Sequence, residues 1–278
     1  GNEKRFCELM QKKYSEIIVE REKGIDKSTK DDIRMIKKSD YFVCVAEHTS
    51  RSLNKIADLK EVPTLVINNG INDTCKRVNN ETRNYIRKKY FLDRDIPILL
   101  FAGRLDEVKG VTYIIKAFKK MQKSYPDARL FIAVEGSFPN LWNDSKEHWA
   151  NISFTGRLGK KQLFEFYHIA DIGIVTSLHE EFGLVAIEMM MHALPVIVSD
   201  TGGLSEIIED RVSGLKVPVK TQRGKRYINT TVLSKKIMFL LENPEKAKKL
   251  GQNARKRFLE KYELSVFKEK MIRLYTSI

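Results

Sequence analysis

The 278-residue sequence predicts an α/β protein organised as a doubly wound parallel sheet beside an incomplete N-terminal α/β portion. Three observations carry that expectation. Short β-rich runs alternate with amphipathic stretches along the chain. Six such runs recur roughly every 20 to 30 residues between positions 97 and 218. Several of them end in glycines, cations and carboxylates, and the carboxyl edge of such a sheet is where ligands bind.

Taken in order, YFVCVA (41–46) and TLVIN (64–68) read as two strands that accompany a long charged helix. Two strands cannot build an independent sheet, so residues 1–68 read as the remnant of a further domain. NNGINDT (68–74) reads as a hinge, and 69–96 as a linker with an entry helix. The main sheet then follows as PILLFAG, ARLFIAV, NISFTG, DIGIVTS, PVIVSD and GLKVPV, with helical patterns such as VTYIIKAFKKMQKSY and KKQLFEFYHIA between them. This domain spans 97–255. Residues 256–278 read as a C-terminal helix returning toward the N-terminal portion.

Composition sets further bounds. At 42% hydrophobic and 31% charged residues the chain reads as an ordinary water-soluble globular protein, and no apolar run approaches the roughly 20 residues of a membrane span. GNEKRFCELM lacks the signal-peptide pattern. Cys7, Cys44 and Cys75 form no metal-ligand spacing and read as packing residues in a reducing cytosol. The expected location is therefore cytoplasmic, with a peripheral place at a membrane as the alternative. Half of the net charge of +14 falls in residues 235–278, where 12 basic side chains face 5 acidic ones. That excess is either a solvated helix surface or an attraction to anionic lipid headgroups or an anionic substrate. No nucleic-acid motif accompanies it.

Four stretches point to chemistry. FAGRLDEVKG ends a strand on Gly103 and presents Arg104 and Lys109 ahead of a helix beginning near Val111. Two cations and a helix N-terminus suit a diphosphate, although an ordinary strand-to-helix turn would look similar. SDTGGLSEIIE, with Thr201 before a glycine pair, is a second turn that could admit an anion. HEEFGLVAIEMMMHALPVIVSD brings Glu180 to the mouth of the strand-end cleft and opens a helix at Phe182-Gly183-Leu184. Inside that helix Glu188 has Leu184, Met191 and His192 three or four positions away. A carboxylate so surrounded needs hydrogen-bond donors or a cation from outside the helix, and either a ligand diol or a buried ion pair would serve. FTGRL contributes Gly156, Arg157 and Leu158. His48, His148, His168, His179 and His192 read as structural or solvated, and Met189, Met190 and Met191 as core filler.

In combination these residues resemble the retaining nucleotide-sugar glycosyltransferases of family four, with the two-domain GT-B fold, over about residues 40 to 262. VINNGIND resembles the family linker, FAGRLDEVKG its phosphate-binding turn, FTGRL its base-side loop, and EEFGLVAIEMMMHALPVIVSDTGGLSEII its signature of two glutamates separated by seven residues. The resemblance implies that 97–255 is a Rossmann-like donor-binding domain and 1–68 a remnant of the acceptor-side domain. Arg104 and Lys109 would neutralise the leaving diphosphate, Glu188 would bind ribose, and Glu180 with the backbone of Phe182, Gly183 and Leu184 would hold the donor sugar. Gly156, Arg157 and Leu158 would border the base. The implied partners are a nucleotide-sugar donor carrying UDP or GDP and a carbohydrate or lipid-linked acceptor, with no metal and no other cofactor. Family members carry a complete acceptor domain, with a Gly-rich loop and a histidine near the sugar. Residues 1–68 match only about its last two strands, so self-association or a partner chain through 1–68 is expected. An inactive nucleotide-sugar-binding module, an epimerase and a phosphorylase remain as alternatives.

Overall fold

The computed structural model describes residues 30–57, 62–76, 78–92, 96–135 and 145–277. Its contacts divide the chain into two compact units. One takes in the residues up to Cys44 together with Ser50–Val66; the other comprises Val45–Thr49 and everything from Ile67 onward.

In the smaller unit, β1 (Phe42–Cys44) and β2 (Thr64–Val66) run parallel, with Phe42 opposite Thr64 and Cys44 opposite Val66. Most of α1 (Glu47–Ala57) belongs here, and Ile33, Ile36, Phe42 and Leu53 form a small apolar cluster. The long charged helix read from the sequence lies largely outside the described residues, as does Cys7.

The larger unit is built on a sheet of seven strands. These are β3 (Ile98–Arg104), β4 (Arg129–Glu135), β5 (Ile152–Phe154), β6 (Ile172–Val175), β7 (Val196–Asp200), β8 (Leu215–Gln222) and β9 (Lys225–Ile228), in the order β5-β4-β3-β6-β7-β8-β9. The six expected strands are all present and all parallel. The order doubles back at β3, so β3 and β6 are the neighbours between which the two windings diverge, and a ligand crevice opens at their carboxyl ends. β9 was not expected. It pairs antiparallel with β8 through a tight turn at Arg223-Gly224, both at positive φ.

Around the sheet run α2 (Asn80–Lys89), α3 (Val111–Met121), α4 (Lys160–Ile169), α5 (Leu184–Met191), α6 (Gly202–Ile207), α7 (Thr230–Glu242), α8 (Pro244–Lys261) and α9 (Leu264–Ser277). No helix starts at 256. α8 continues to Lys261, is capped at Tyr262, and α9 begins two residues later.

Alternation along β3 shows how the sequence fills both faces. Ile98, Leu100 and Ala102 enter one core with Ile187, Met190 and Phe258, whereas Leu99 and Phe101 enter the other with Ile114, Phe118 and Ile237. The entry helix is fastened to the sheet by charge. Asp171 accepts the Ile98 N–H at 2.8 Å and Arg83 at 2.6 Å, while Arg87, 2% exposed, donates to the Ile96 carbonyl. Buried arginine is tolerated here because it has an acceptor in this carbonyl and a counter-charge in Asp171, 3.9 Å away.

Candidate active site

Three strand-end loops, following β3, β6 and β7, meet at the carboxyl edge of the sheet, and backbone groups join them. From the β3 side, the Val108 carbonyl accepts the Leu178 N–H at 2.6 Å, and Thr176 Oγ1 donates to the carbonyls of Lys109 and Gly110. Gly110 has φ +68°, and a Cβ there would lie 2.2 Å from the Thr176 carbonyl oxygen, so only glycine lets α3 start so close to β6. From the β7 side, Ser199 Oγ donates to the Ser177 carbonyl, Thr201 Oγ1 to that of Leu178, and the Gly203 N–H to that of Glu180 at 2.9 Å. The middle loop, which carries Glu180, is thus held from both flanks.

The resulting cleft has a volume of about 380 Å³ and is lined by Gly103, Arg104, Lys109, Glu180, Phe182, Gly183 and Leu184, together with Asn69 and Ser177. Seven of the residues read from the sequence therefore share one cavity. Within it Lys109 Nζ lies 2.7 Å from Glu180 Oε2, and Ser177 Oγ donates to the same oxygen at 2.8 Å. Both charged side chains are largely shielded, at 21% and 16% exposure. Arg104 is different: its side chain is 83% exposed, with Asp106 3.7 Å away. α5 starts at the cleft with Gly183 and Leu184 in its lining; it has no side-chain cap, and the amides of a first helical turn have no intrahelical acceptor.

Glu188 does not line the cleft. It lies one helical turn beyond Leu184, which does. Tyr167, 1% exposed, donates to Glu188 Oε2 at 2.8 Å. Burial pushes the Glu188 carboxyl above the ordinary carboxylate range, with the Tyr167 hydroxyl and the charge of Lys160 acting in the opposite sense. The ion pair considered as an alternative is not formed among the described residues, and Tyr167 supplies one of the donors this carboxylate requires. The hydroxyl is itself held in its protonated form, first by burial and then by the carboxylate it faces.

Gly156, Arg157 and Leu158 follow β5, at the far edge of the sheet from β9. Arg157 is exposed, and Leu158 packs against the core. Thr201 and the Gly202-Gly203 pair back the Glu180 loop and are absent from the cleft lining.

Sequence reasoning assigned no role to three groups. Tyr167 falls on the buried face of KKQLFEFYHIA, and that period was the available signal. Ser177 sits two residues after β6 and two residues before the HEEFG motif. Glu181 accepts from Thr49 at 3.1 Å and lies 2.7 Å from His179 Nε2, a contact between distant segments that no local pattern announces.

The profile of the family Glycosyl transferases group 1 matches residues 82–257. An uncharacterized glycosyltransferase of Methanocaldococcus jannaschii is 33% identical over 190 residues, covering 64% of this chain and 48% of that protein. The alpha-D-kanosaminyltransferase of Streptomyces kanamyceticus is 27% identical over 210 residues, covering 74% and 52% respectively. The chain thus spans about half the length of these curated relatives. Among solved structures, sucrose-phosphate synthase from Thermosynechococcus elongatus superposes with a TM-score of 0.78 at 24% identity, over 91% of this chain and 61% of that one. Anabaena HepE in complex with UDP and glucose gives 0.77 at 17% identity, over 91% and 67%. These neighbours share the α/β fold expected of GT-B proteins. The matched segment includes both cations, both glutamates and every strand of the larger sheet, and on that basis the chain belongs to the group 1 glycosyl transferases.

Proposed function

We propose that this chain forms the donor side of a glycosyltransferase that moves a sugar from a nucleoside diphosphate sugar to an acceptor hydroxyl with retention of configuration. The observation that carries this reading is the cleft in which Arg104, Lys109, Glu180 and the start of α5 converge. As the glycosidic bond to the diphosphate breaks, its electron pair passes to the departing phosphate oxygen while positive charge develops on the anomeric carbon. Fixed cations beside that oxygen lower the barrier. Lys109, already held by Glu180, provides fixed charge of this kind, and Arg104 adds a second cation on closing over the ligand, without a metal in the reaction. The acceptor oxygen attacks from the face the leaving group vacates, and its proton passes to the phosphate. Glu180 holds Lys109 in place before the donor arrives and stands where sugar hydroxyls would meet it.

Glu188, whose Oε2 already accepts from Tyr167, keeps lone pairs for the two hydroxyls of a ribose. Calorimetry with UDP, GDP and inorganic pyrophosphate on the wild type and Glu188→Gln tests both levels of the proposal. The wild type should bind a nucleoside diphosphate. The variant should lose about tenfold or more in nucleotide affinity, as expected when a charge-assisted hydrogen bond is weakened, with little change for pyrophosphate. Equal loss for all three ligands would remove the ribose assignment, and absence of nucleotide binding by the wild type would remove the donor reading.

A second cavity, of about 580 Å³, supports an anionic membrane surface as a partner. Arg211, Lys235, Lys236, Lys246 and Lys249 surround an apolar floor that includes Phe239 and Leu250. That pairing of charge and greasy surface suits a negative lipid headgroup. No helix among the described residues is long and apolar enough to cross a membrane, so any attachment through them would be at the surface. Each basic residue near an anionic bilayer is worth about 1 kcal/mol, so Lys235→Ala/Lys249→Ala should weaken binding to phosphatidylserine vesicles about 30-fold at low salt. Co-sedimentation measures this. Equal partitioning of wild type and variant, or equal binding to neutral vesicles, would rule the surface out.

A further inference from the structure

None of Cys75, His168 and His192 lines either cavity described above, yet one ligating atom from each lies within 4.8 Å of the other two. Cys75 belongs to the segment between β2 and α2, His168 to the last turn of α4, and His192 caps α5. His192 is 8% exposed, and neither of its ring nitrogens has a hydrogen-bond partner among the described residues. Such an imidazole is rare in a folded interior, because a neutral ring carries one donor and one acceptor that burial removes from water. The rings of Phe164, Tyr167 and His168 surround it at centroid distances of 4.6, 5.2 and 4.7 Å.

We propose that Cys75, His168 and His192 bind one borderline-soft transition-metal ion of the zinc type, with the remaining position taken by solvent. A thiolate and two imidazoles suit this class, and the absence of a carboxylate from the set disfavours magnesium or calcium. Metal–ligand bonds of about 2.0 to 2.3 Å put tetrahedral ligand atoms roughly 3.3 to 3.7 Å apart. Closing to that spacing takes rotamer adjustments, which Cys75 and His168, both half-buried, have room to make. Both histidines stand at helix C-termini, where the backbone dipole favours a cation. Arg255 is the nearby positive charge, and it is already paired: Asp73 receives it through two bonds, and the Met191 carbonyl takes a third. Burial disfavours the protonated form of both rings, and an imidazole ligates through its neutral form. On binding, the Cys75 thiol gives its proton to solvent. The ion would tie the segment after β2 to the ends of α4 and α5, and α5 carries Glu188.

The test uses the untagged chain, freed of metal and kept reduced without thiols, titrated with cobalt(II) and then zinc. One cobalt per chain is expected, with a thiolate-to-cobalt charge-transfer band in the near ultraviolet and visible bands of tetrahedral intensity. Zinc should displace it and raise the melting temperature. Cys75→Ser should abolish the charge-transfer band. His168→Gln, at a half-buried position, should reduce zinc affinity by more than the roughly 10- to 100-fold that loss of an outer hydrogen-bond partner costs. A band that persists in Cys75→Ser, unchanged affinity in His168→Gln, or a wild type that binds no cobalt stoichiometrically would each overturn the proposal.

Discussion

Replacing Lys109 by methionine should slow sugar transfer at saturating donor by about 10²- to 10³-fold, the range found when one preorganised charge-stabilising group is removed from an active site. Lys109 would meet the leaving diphosphate, and charge on those oxygens grows as the bond breaks. The substitution should therefore lower turnover by more than it raises the Michaelis constant. The same change strands Glu180, which is 16% exposed and would retain only Ser177 as a side-chain donor among the described residues. A shielded carboxylate deprived of its cation should cost about 1 to 3 kcal/mol of folding stability. The double variant Lys109→Met/Glu180→Gln separates the two effects: stability should recover while the rate does not. Urea unfolding and single-turnover rates in the transfer-competent enzyme measure them. A shift in the Michaelis constant alone would make Lys109 a ground-state anchor.

Gly202→Ala should be the most damaging small substitution in the site. Gly202 has φ +49°, and a Cβ built there lies 1.9 Å from the Glu180 carbonyl oxygen, a backbone atom that cannot swing aside. Left-handed strain costs about 1 to 3 kcal/mol by itself, and relieving the clash must displace the Glu180 loop, so a loss of about 3 kcal/mol or more is expected. Nucleotide-sugar affinity or turnover should fall as well, since a misplacement of about 1 Å can cost about 100-fold in rate. Gly224→Ala provides the control. Its φ is +75°, but nothing lies within 4 Å of the added methyl, so only the backbone term applies. Equal midpoints for the two variants in urea would show that the approach to Glu180 does not matter.

These contrasts also mark what could be read from the chain alone. β3, β4, β6 and β7 were legible because each is an apolar run bounded by turn residues and buried on both faces, which leaves a local signature. β9 was not, because Lys225 and Arg226 are exposed at the sheet edge and KRYI carries no apolar alternation. Arg104, Lys109, Glu180 and the Phe182-Gly183-Leu184 turn could be named from strand-end position and charge. The Gly202-Gly203 pair could be recognised as a close-approach site, but not what approaches: the sequence suggested an anion, and the structure has the Glu180 to Phe182 backbone there. Glu188 could be singled out for lacking a polar face, yet its donor, Tyr167, lies 21 residues away on another helix. Cys75, His168 and His192 were individually bland because their meeting is a product of three separate segments.

The two cations of the cleft carry equal charge but enter a complex on unequal terms. Lys109 is already oriented by Glu180 and flanked by packed backbone, so little of its side-chain freedom is left to lose. Arg104, 83% exposed, must give up its rotamers when it closes on a ligand, an entropic cost of about 0.5 to 1.5 kcal/mol that offsets part of its Coulombic contribution. Binding through Arg104 should consequently be the more enthalpic and the more temperature-sensitive of the two. A neighbouring substitution that merely stiffened Arg104 would strengthen donor binding without adding a single contact.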